Sequence, residues 1–310
     1  MRLATFNLLH GRSLRDGTVD AARLRAAIST LDLDVLGIQE VDRAQPRSGG
    51  LDLTAEIADA MGATAYRFVP AVIGTPGVAW RAATAADEPA LNGRSAPGSS
   101  PNHGGRSAPD ESLNHGDRSG SEPSPDDGGP PLGEPAYGIG LISRWPVTGW
   151  QVLRLPASRL RSPVLIPGRP ARVLMLDDEP RVVLAATVDT PAGPVTVATT
   201  HLSFVPGWNA HQLRLALAGL AAMAGPRVLL GDLNLPAWAV AAVSPWRSLA
   251  RIATYPTHAP RIQFDHVLTD ATPAERALPP VVGVETPTMP LSDHRPLVVT
   301  LASPDRRKNI

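Results

Sequence analysis

Apolar residues along this chain occur mainly in short runs that end in a polar side chain or a turn, which is typical of buried β-strands. Apolar residues at helical spacing, three or four positions apart, are confined to four segments. The predicted helices span 20–31, 53–61, 210–224 and 238–243. The predicted strands span 3–9, 34–42, 66–73, 137–144, 150–155, 182–188, 195–202, 228–230, 262–268, 281–284 and 297–301.

The predicted strands outnumber the helices, and the helices fall between strand pairs. This order predicts an α/β (α+β) fold of two packed sheets with helices on the outer faces. Asp20 is the expected N-cap of the first helix, and Gly62 is expected to end the second. The third should continue to the stop at Gly225-Pro226. We expect one domain over residues 1–302 and a frayed tail over 303–310.

The composition changes between about 85 and 135, where Gly, Pro, Ser, Asn and Asp dominate. Arg-Ser pairs recur there every 12 residues, starting at positions 94, 106 and 118, but no apolar position recurs with them. The segment therefore has too few apolar residues to offset the entropy lost on ordering. It is predicted to be a disordered insertion, so deleting 87–133 should not lower the melting temperature greatly.

Composition and net charge limit the classes of protein to which this chain can belong. Of the 310 residues 43% are hydrophobic, which is enough for a substantial core, and 29 basic residues balance 29 acidic ones. With a net charge of zero, the overall charge of the protein gives no reason to expect binding to long nucleic acid. There is no cysteine, which excludes disulfides and thiolate metal sites. Without a signal-peptide pattern or a membrane-length apolar run, we expect a cytoplasmic, monomeric protein with no protein partner.

Polar residues within or at the ends of the apolar strands are the candidates for chemistry. Asp232 and Asn234 follow one strand two positions apart, so they face the same side. Singly, each residue also fits a strand end or a turn, but burying several without partners would be costly. A divalent cation would satisfy them together, and oxygen donors suit Mg²⁺ or Mn²⁺ better than Zn²⁺. The candidates are Asn7, Glu40, His201, Asp232, Asn234, Asp265, Asp293 and His294.

Five short motifs carry a family resemblance. They are Thr5-Phe6-Asn7, Gln39-Glu40-Val41, Thr200-His201-Leu202, Gly231-Asp232-Leu233-Asn234 and Ser292-Asp293-His294-Arg295-Pro296. With these motifs in this order, the chain resembles the endonuclease/exonuclease/phosphatase superfamily, which has the pancreatic-deoxyribonuclease-like fold. Asp265 matches a sixth, weaker position. The resemblance implies a four-layer sandwich of two mostly antiparallel sheets flanked by helices.

The resemblance also implies a metal site and an activated water. Glu40 would be the main Mg²⁺ ligand, with Asn7 and Asp293 completing the site. Asp232 would orient or deprotonate the attacking water. Asn234 would position that water or the phosphate.

The family resemblance also implies that two histidines contact the phosphate of the substrate. His294, held by Asp265, would contact the scissile phosphate. His201 would be the second phosphate-site histidine, able to protonate the leaving oxygen. Arg144, at the end of the strand 137–144, is a candidate substrate-binding residue.

The function implied by the resemblance is metal-dependent hydrolysis of phosphodiester bonds by in-line attack of water. A nuclease acting as an endonuclease or an exonuclease is the leading hypothesis, with nucleic acid as the substrate. A hydrolase of small or lipid phosphoesters, similar to sphingomyelinases, is the first alternative. A non-catalytic binding protein on the same fold is the second.

Overall fold

The computed structural model describes residues 1–88, 133–158, 178–270 and 277–302, and the backbone of two further strands at 162–166 and 172–176. Most of the expected insertion and the 303–310 tail lie outside the described residues. The first residues assigned to the insertion, 85–88, are tied to the fold, since Glu88 accepts hydrogen bonds from Arg67 (2.7 Å) and Arg154 (2.8 Å). A deletion that tests whether the insertion is dispensable should therefore begin after Glu88.

Strands and helices alternate along the described chain much as the apolar pattern predicts. The helices are α1 (Ala21–Ser29), α2 (Leu53–Met61), α3 (Trp208–Leu220) and α4 (Ala237–Val243). The strands are β1 (Arg2–Asn7), β2 (Val35–Arg43), β3 (Ala65–Thr75), β4 (Ala79–Ala82), β5 (Ala136–Ser143), β6 (Val147–Leu155), β7 (Ser162–Ile166), β8 (Arg172–Leu176), β9 (Arg181–Thr190), β10 (Gly193–His201), β11 (Arg227–Asp232), β12 (Arg247–Ser248), β13 (Asp265–Thr269), β14 (Val281–Glu285) and β15 (Leu297–Leu301).

Two mixed sheets form the framework. The first has seven strands in the order β14-β15-β1-β2-β5-β3-β4, and the second has six in the order β12-β13-β11-β10-β9-β6. Among the described strands, β7 and β8 pair only with each other. Each large sheet contains one parallel pair among its described strands, β1 with β2 and β10 with β11, and its other pairs are antiparallel.

Three apolar clusters hold four layers together. The central cluster fills the space between the sheets and includes Leu141, Val197 and Leu230. The first sheet packs on α1 and α2 through residues such as Phe6 and Ile57, and the second packs on α3 and α4. This arrangement confirms the predicted two-sheet sandwich flanked by helices.

Helix ends follow local rules except in α3. Asp20 caps α1 by accepting a hydrogen bond from Arg23 N (2.6 Å), and Gly62 ends α2 with φ +62°. The prediction that the third helix continues to Gly225-Pro226 was wrong. The helix ends at Leu220, and beyond it the guanidinium of Arg227 donates hydrogen bonds to the carbonyl oxygens of Ala221 (3.0 Å) and Met223 (2.7 Å).

One strand also begins later than predicted. Ile262 forms an isolated antiparallel bridge with Tyr255, so the chain makes a short loop of its own before β13 begins at Asp265. The short strands β4 and β12 were not predicted, since each lies at a sheet edge and has few buried residues. None of the helices in the described ranges is long and apolar enough to span a membrane.

The two sheets approach each other closely at Gly37 of β2. A Cβ there would lie 2.6 Å from Thr199 Oγ1 and 3.2 Å from Leu230 Cβ, both on the facing sheet. We expect Gly37→Ala to lower the free energy of unfolding by about 1–3 kcal/mol, because the sheets must move apart. The matched control is Gly149→Ala, where nothing lies within 4 Å of the new Cβ. Equal stability of the two variants in urea unfolding would contradict the close approach.

Candidate active site

The polar residues singled out in the sequence lie where the two parallel strand pairs end. Asn7 of β1 is in register with Gln39 of β2, and His201 of β10 with Asp232 of β11. Because the two sheets face each other, both carboxyl ends open on one cleft. A buried hydrogen bond from Gln39 Nε2 to Thr199 Oγ1 (2.9 Å) joins the sheets just beneath it. The fold therefore brings both halves of the chain to one site.

Asp232 lies at the centre of this site. Its Oδ2 accepts a hydrogen bond from Asn7 Nδ2 (2.9 Å), and its Oδ1 accepts one from Asn234 N (3.0 Å). The Nε2 atoms of His201 and His294 are 3.8 Å and 3.7 Å from Oδ2. Burial raises the pKa of Asp232, against the lowering effect of His294. This carboxylate is thus oriented by two amides and faces two imidazoles.

Glu40 is held in an unusual backbone conformation. Its φ is +54°, in the left-handed region, where β2 shifts register against β5. Such a bulge redirects a side chain at a strand end, at a cost of order 1–3 kcal/mol. Burial raises the pKa of Glu40 to about 7, and the carboxylates of Asp293 and Asp232 add to that rise. Three acids therefore lie within electrostatic reach of one another.

Asn7 bridges two of these acids. Its Nδ2 donates to Glu40 Oε1 (3.0 Å) as well as to Asp232 Oδ2, while its Oδ1 accepts from Leu9 N (3.1 Å). The amide oxygen is therefore turned away from the carboxylates. In this arrangement Asn7 orients the acids, whereas the resemblance implied a metal ligand.

His294 is held by a carboxylate. Its Nδ1 donates to Asp265 Oδ2 (2.8 Å), which also accepts from Thr254 Oγ1 (2.5 Å). Burial by itself lowers the pKa of His294, but the carboxylates of Asp265, Asp232 and Asp293 outweigh it and raise the pKa to about 10. The imidazole is charged at neutral pH and directs Nε2 toward the cleft.

His201 has the opposite environment. Arg181 NH1 lies 3.3 Å from its Nδ1, and Asn234 Nδ2 lies 3.2 Å from its Nε2. Both neighbours are hydrogen-bond donors, and an imidazolium can accept from neither. Burial, then the charges of Arg181 and His294, lower the pKa of His201 well below its usual value. His201 is therefore neutral at pH 7, and the acid role that the resemblance implies for it stays a prediction.

The charge of Arg181 can be tested directly. We expect Arg181→Met to raise the pKa of His201, because the guanidinium charge is removed, and Arg181→Lys to keep it low. An NMR titration of the His201 ring resonances measures both. An unchanged titration in Arg181→Met would show that burial and the charge of His294 are enough to keep the imidazole neutral.

The acidic cluster fits a divalent cation. Ligand atoms of Asp232, Asp265 and His294 lie within 4.8 Å of one another. However, His294 Nδ1 and Asp265 Oδ2 already bond to each other, so this trio is a hydrogen-bonded chain rather than an open cage. Burial raises the pKa of Glu40, the carboxylates of Asp293 and Asp232 add to that rise, and a divalent cation between Glu40 and Asp293 would offset this negative charge. Hard carboxylate oxygens there suit a cation such as Mg²⁺.

One candidate lies elsewhere, and others were missed. Arg144 follows β5 at the far end of β2, where it binds Met61 O (2.8 Å) and Asp32 (2.6 Å), so the structure does not bring it to the cleft. Arg181 and Tyr255 were not predicted, although the Tyr255 ring lies 4.9 Å from that of His294. Arg181 is the first residue of the apolar strand β9. An arginine at that position is equally common at an exposed strand end, so the sequence offered little reason to select it.

Solved structures resemble this chain in fold at low identity. An endonuclease/exonuclease/phosphatase from Beutenbergia cavernae gives a TM-score of 0.57 at 20% identity, covering 96% of this chain and 70% of that one. D. rerio TDP2 complexed with a single strand DNA product gives 0.55 at 13%, covering 98% and 99%. A Bacteroides thetaiotaomicron mannosyl-6-phosphatase gives 0.53 at 13%, covering 98% and 100%.

The comparison with curated protein sequences gives no match. The family model described as "Endonuclease/Exonuclease/phosphatase family" matches residues 4–294, which is nearly the whole chain. Members of this family are hydrolases that act on phosphoester bonds, and they generally depend on divalent metals. The match spans every residue of the cleft described above, and the chain therefore belongs to the endonuclease/exonuclease/phosphatase family.

Proposed function

We propose that this protein is a metal-dependent phosphodiesterase, with a polynucleotide as its substrate. The observation that carries the proposal is the convergence on Asp232 Oδ2, which faces a charged imidazole of His294 and a neutral one of His201. A carboxylate beside one proton donor and one neutral ring suits attack by water on a phosphate diester. D. rerio TDP2, the structural neighbour complexed with a single strand DNA product, supports the choice of nucleic acid.

The residues of the cleft divide the work of hydrolysis. Asp232, oriented by Asn7 and Asn234, accepts a proton from the attacking water as the water oxygen bonds to phosphorus. His294, held by Asp265, places its charge against a phosphoryl oxygen and can give its Nε2 proton to the leaving oxygen.

The remaining residues bind rather than transfer protons. His201, being neutral, contributes a hydrogen bond to the phosphate and not a proton. Glu40 and Asp293 would hold the Mg²⁺ or Mn²⁺, which when bound neutralises charge on the phosphoryl oxygens. Asn7 donates to both Glu40 and Asp232 and so fixes the two carboxylates relative to each other.

An activity panel tests the proposal. Purified protein is assayed on plasmid, single-stranded DNA, RNA, sphingomyelin, a sugar phosphate and bis-p-nitrophenyl phosphate, with Mg²⁺, Mn²⁺ or EDTA. We expect metal-dependent turnover of polynucleotides and of the chromogenic diester, both abolished by EDTA. Turnover of lipid or sugar phosphate alone would overturn the choice of substrate. No turnover of any phosphoester would favour a binding protein on this fold.

A further inference from the structure

An open apolar recess borders the cleft on the side of the second sheet. Its volume is about 790 Å³, within the usual range for small-molecule pockets. Trp238, Ile252 and Ile262, which line it, are 76%, 39% and 38% exposed. A flat indole that is three-quarters exposed beside two exposed isoleucines is a large apolar surface for one place on a soluble fold.

The recess is continuous with the catalytic residues through a series of aromatic rings. The ring of Tyr255 lies 4.9 Å from the His294 ring on one side and 5.6 Å from the Phe264 ring on the other. Phe264 lines the recess and directly precedes Asp265, which holds His294. A group held in the recess would therefore lie one or two ring widths from the position of the phosphate.

Two arginines give the recess its charge. Arg251 and Arg261 both line it and are exposed. Neither forms an ion pair with any acid in the described part of the chain. An acyl chain would use the apolar surface and leave both cations without a role. An aromatic heterocycle joined to phosphates uses the indole, the isoleucines and the guanidinium groups together.

We propose that this recess binds an unpaired nucleobase beside the scissile phosphate, an inference that rests on the phosphodiesterase function proposed above. The base stacks on Trp238, and Arg251 and Arg261 contact the adjoining phosphates. A base in a duplex must leave its stack to enter the recess, at a cost of a few kcal/mol. The enzyme should accordingly prefer single-stranded segments and frayed ends to intact duplex.

The test compares two oligonucleotides that differ only in their bases. One is a single-stranded adenine oligonucleotide, and the other has the same length and phosphates but is built of abasic units. We expect wild-type protein to favour the adenine oligonucleotide in kcat/KM by about tenfold or more, the range that stacking of one base supplies. In Trp238→Ala this ratio should fall toward one. In the matched control Trp80→Ala, a tryptophan on edge strand β4, the ratio should not change.

The arginines are tested by the dependence of kcat/KM on salt. A plot of log kcat/KM against log salt concentration should have a negative slope. The double variant Arg251→Gln/Arg261→Gln should make this slope shallower by about one to two, because each phosphate contact adds close to one to its magnitude. Arg214→Gln, an exposed arginine on α3, is the control and should leave the slope unchanged. An unaltered slope in the double variant would exclude phosphate contacts at the recess.

The outcomes separate failure of this inference from failure of the proposed function. If wild-type protein hydrolyses neither oligonucleotide nor bis-p-nitrophenyl phosphate, the phosphodiesterase proposal itself fails. If it hydrolyses both oligonucleotides equally, and Trp238→Ala does so too, only the recess proposal fails. If Trp238→Ala loses binding to phosphatidylcholine vesicles with an unchanged oligonucleotide ratio, the recess contacts a membrane. The melting temperature of Trp238→Ala should stay close to wild type, since the indole is mostly exposed.

Discussion

Asp232→Asn should lower kcat on a phosphodiester about 10³-fold, the range associated with loss of a general base. The carboxamide keeps the size of the side chain and its oxygen can still accept the hydrogen bond from Asn7, but its NH2 group then faces Asn234 N, and it cannot take a proton from water. Because burial raises the pKa of Asp232, the folded state is penalised by the ionised carboxylate, and removal of that charge should offset the lost hydrogen bond from Asn234 N. The measurements are kcat at saturating substrate and the melting temperature of the same sample.

The matched control for this substitution is Asp189→Asn, an exposed acid on β9. It removes the same charge from the same sheet without touching the cleft, so kcat should stay within about twofold of wild type. A kcat for Asp232→Asn that also stays within tenfold would reject the assigned role. A collapse of the melting temperature would instead show that Asp232 is needed for folding.

The apolar pattern was sufficient to locate most of the fold. Strands β2 and β11 are buried on both faces, so β11 has an apolar run with polar residues only at its ends, and β2 begins with an apolar run that leads into Gln39 and Glu40. These polar ends are the residues that the structure brings together, because the carboxyl ends of both parallel pairs open on one cleft. Glu40 and Asp232 could therefore be predicted as site residues from the sequence, before it was known how far apart they lie.

Other features of the site depend on contacts between distant residues, and the sequence carries no local signal for them. The hydrogen bond from Asn7 to Asp232 joins residues 225 positions apart in the chain. The low pKa of His201 comes from its burial and from Arg181, which lies 20 positions earlier in the chain and reaches Nδ1 through the pairing of β9 with β10. A histidine motif alone gives no information on which partner sets its charge, so the sequence could not indicate that His201 is neutral.

The backbone conformation of the site was the other feature that could not be predicted from the sequence. Glu40 and Ser292 have positive φ without being glycine, and both lie in the motifs of the cleft. Left-handed backbone at such residues is uncommon, and no residue type here indicates it. The register shift of β2 at Glu40 and the loop that directs Tyr255 toward His294 arise from tertiary packing. Geometry of this kind is characteristic of functional sites.

Glu40→Gln should have opposite effects on stability and on activity. Burial raises the pKa of Glu40 from 4.5 to about 7, so between these values the folded state binds more protons than the unfolded state. Stability of the metal-free protein therefore falls as the pH rises through this window, by about 3 kcal/mol in total. Glutamine carries no charge to bury. In EDTA at pH 8, the variant should be more stable than wild type by about that amount.

Adding Mg²⁺ should reverse this order. A cation that binds only the folded state raises its stability, and wild-type protein has the carboxylate to hold it while the variant does not. We expect the melting temperature of wild type to rise with Mg²⁺ and that of Glu40→Gln to change little, together with a loss of most activity. Glu134→Gln, a mostly exposed acid, is the control and should behave as wild type. If Glu40→Gln showed the same pH and Mg²⁺ dependence as wild type, the cost of burying charge and the metal site would both have to be placed at other acids of the cleft. Asp293 would be the first of these to replace, because its carboxylate raises the pKa of Glu40 and both residues are assigned to the same cation.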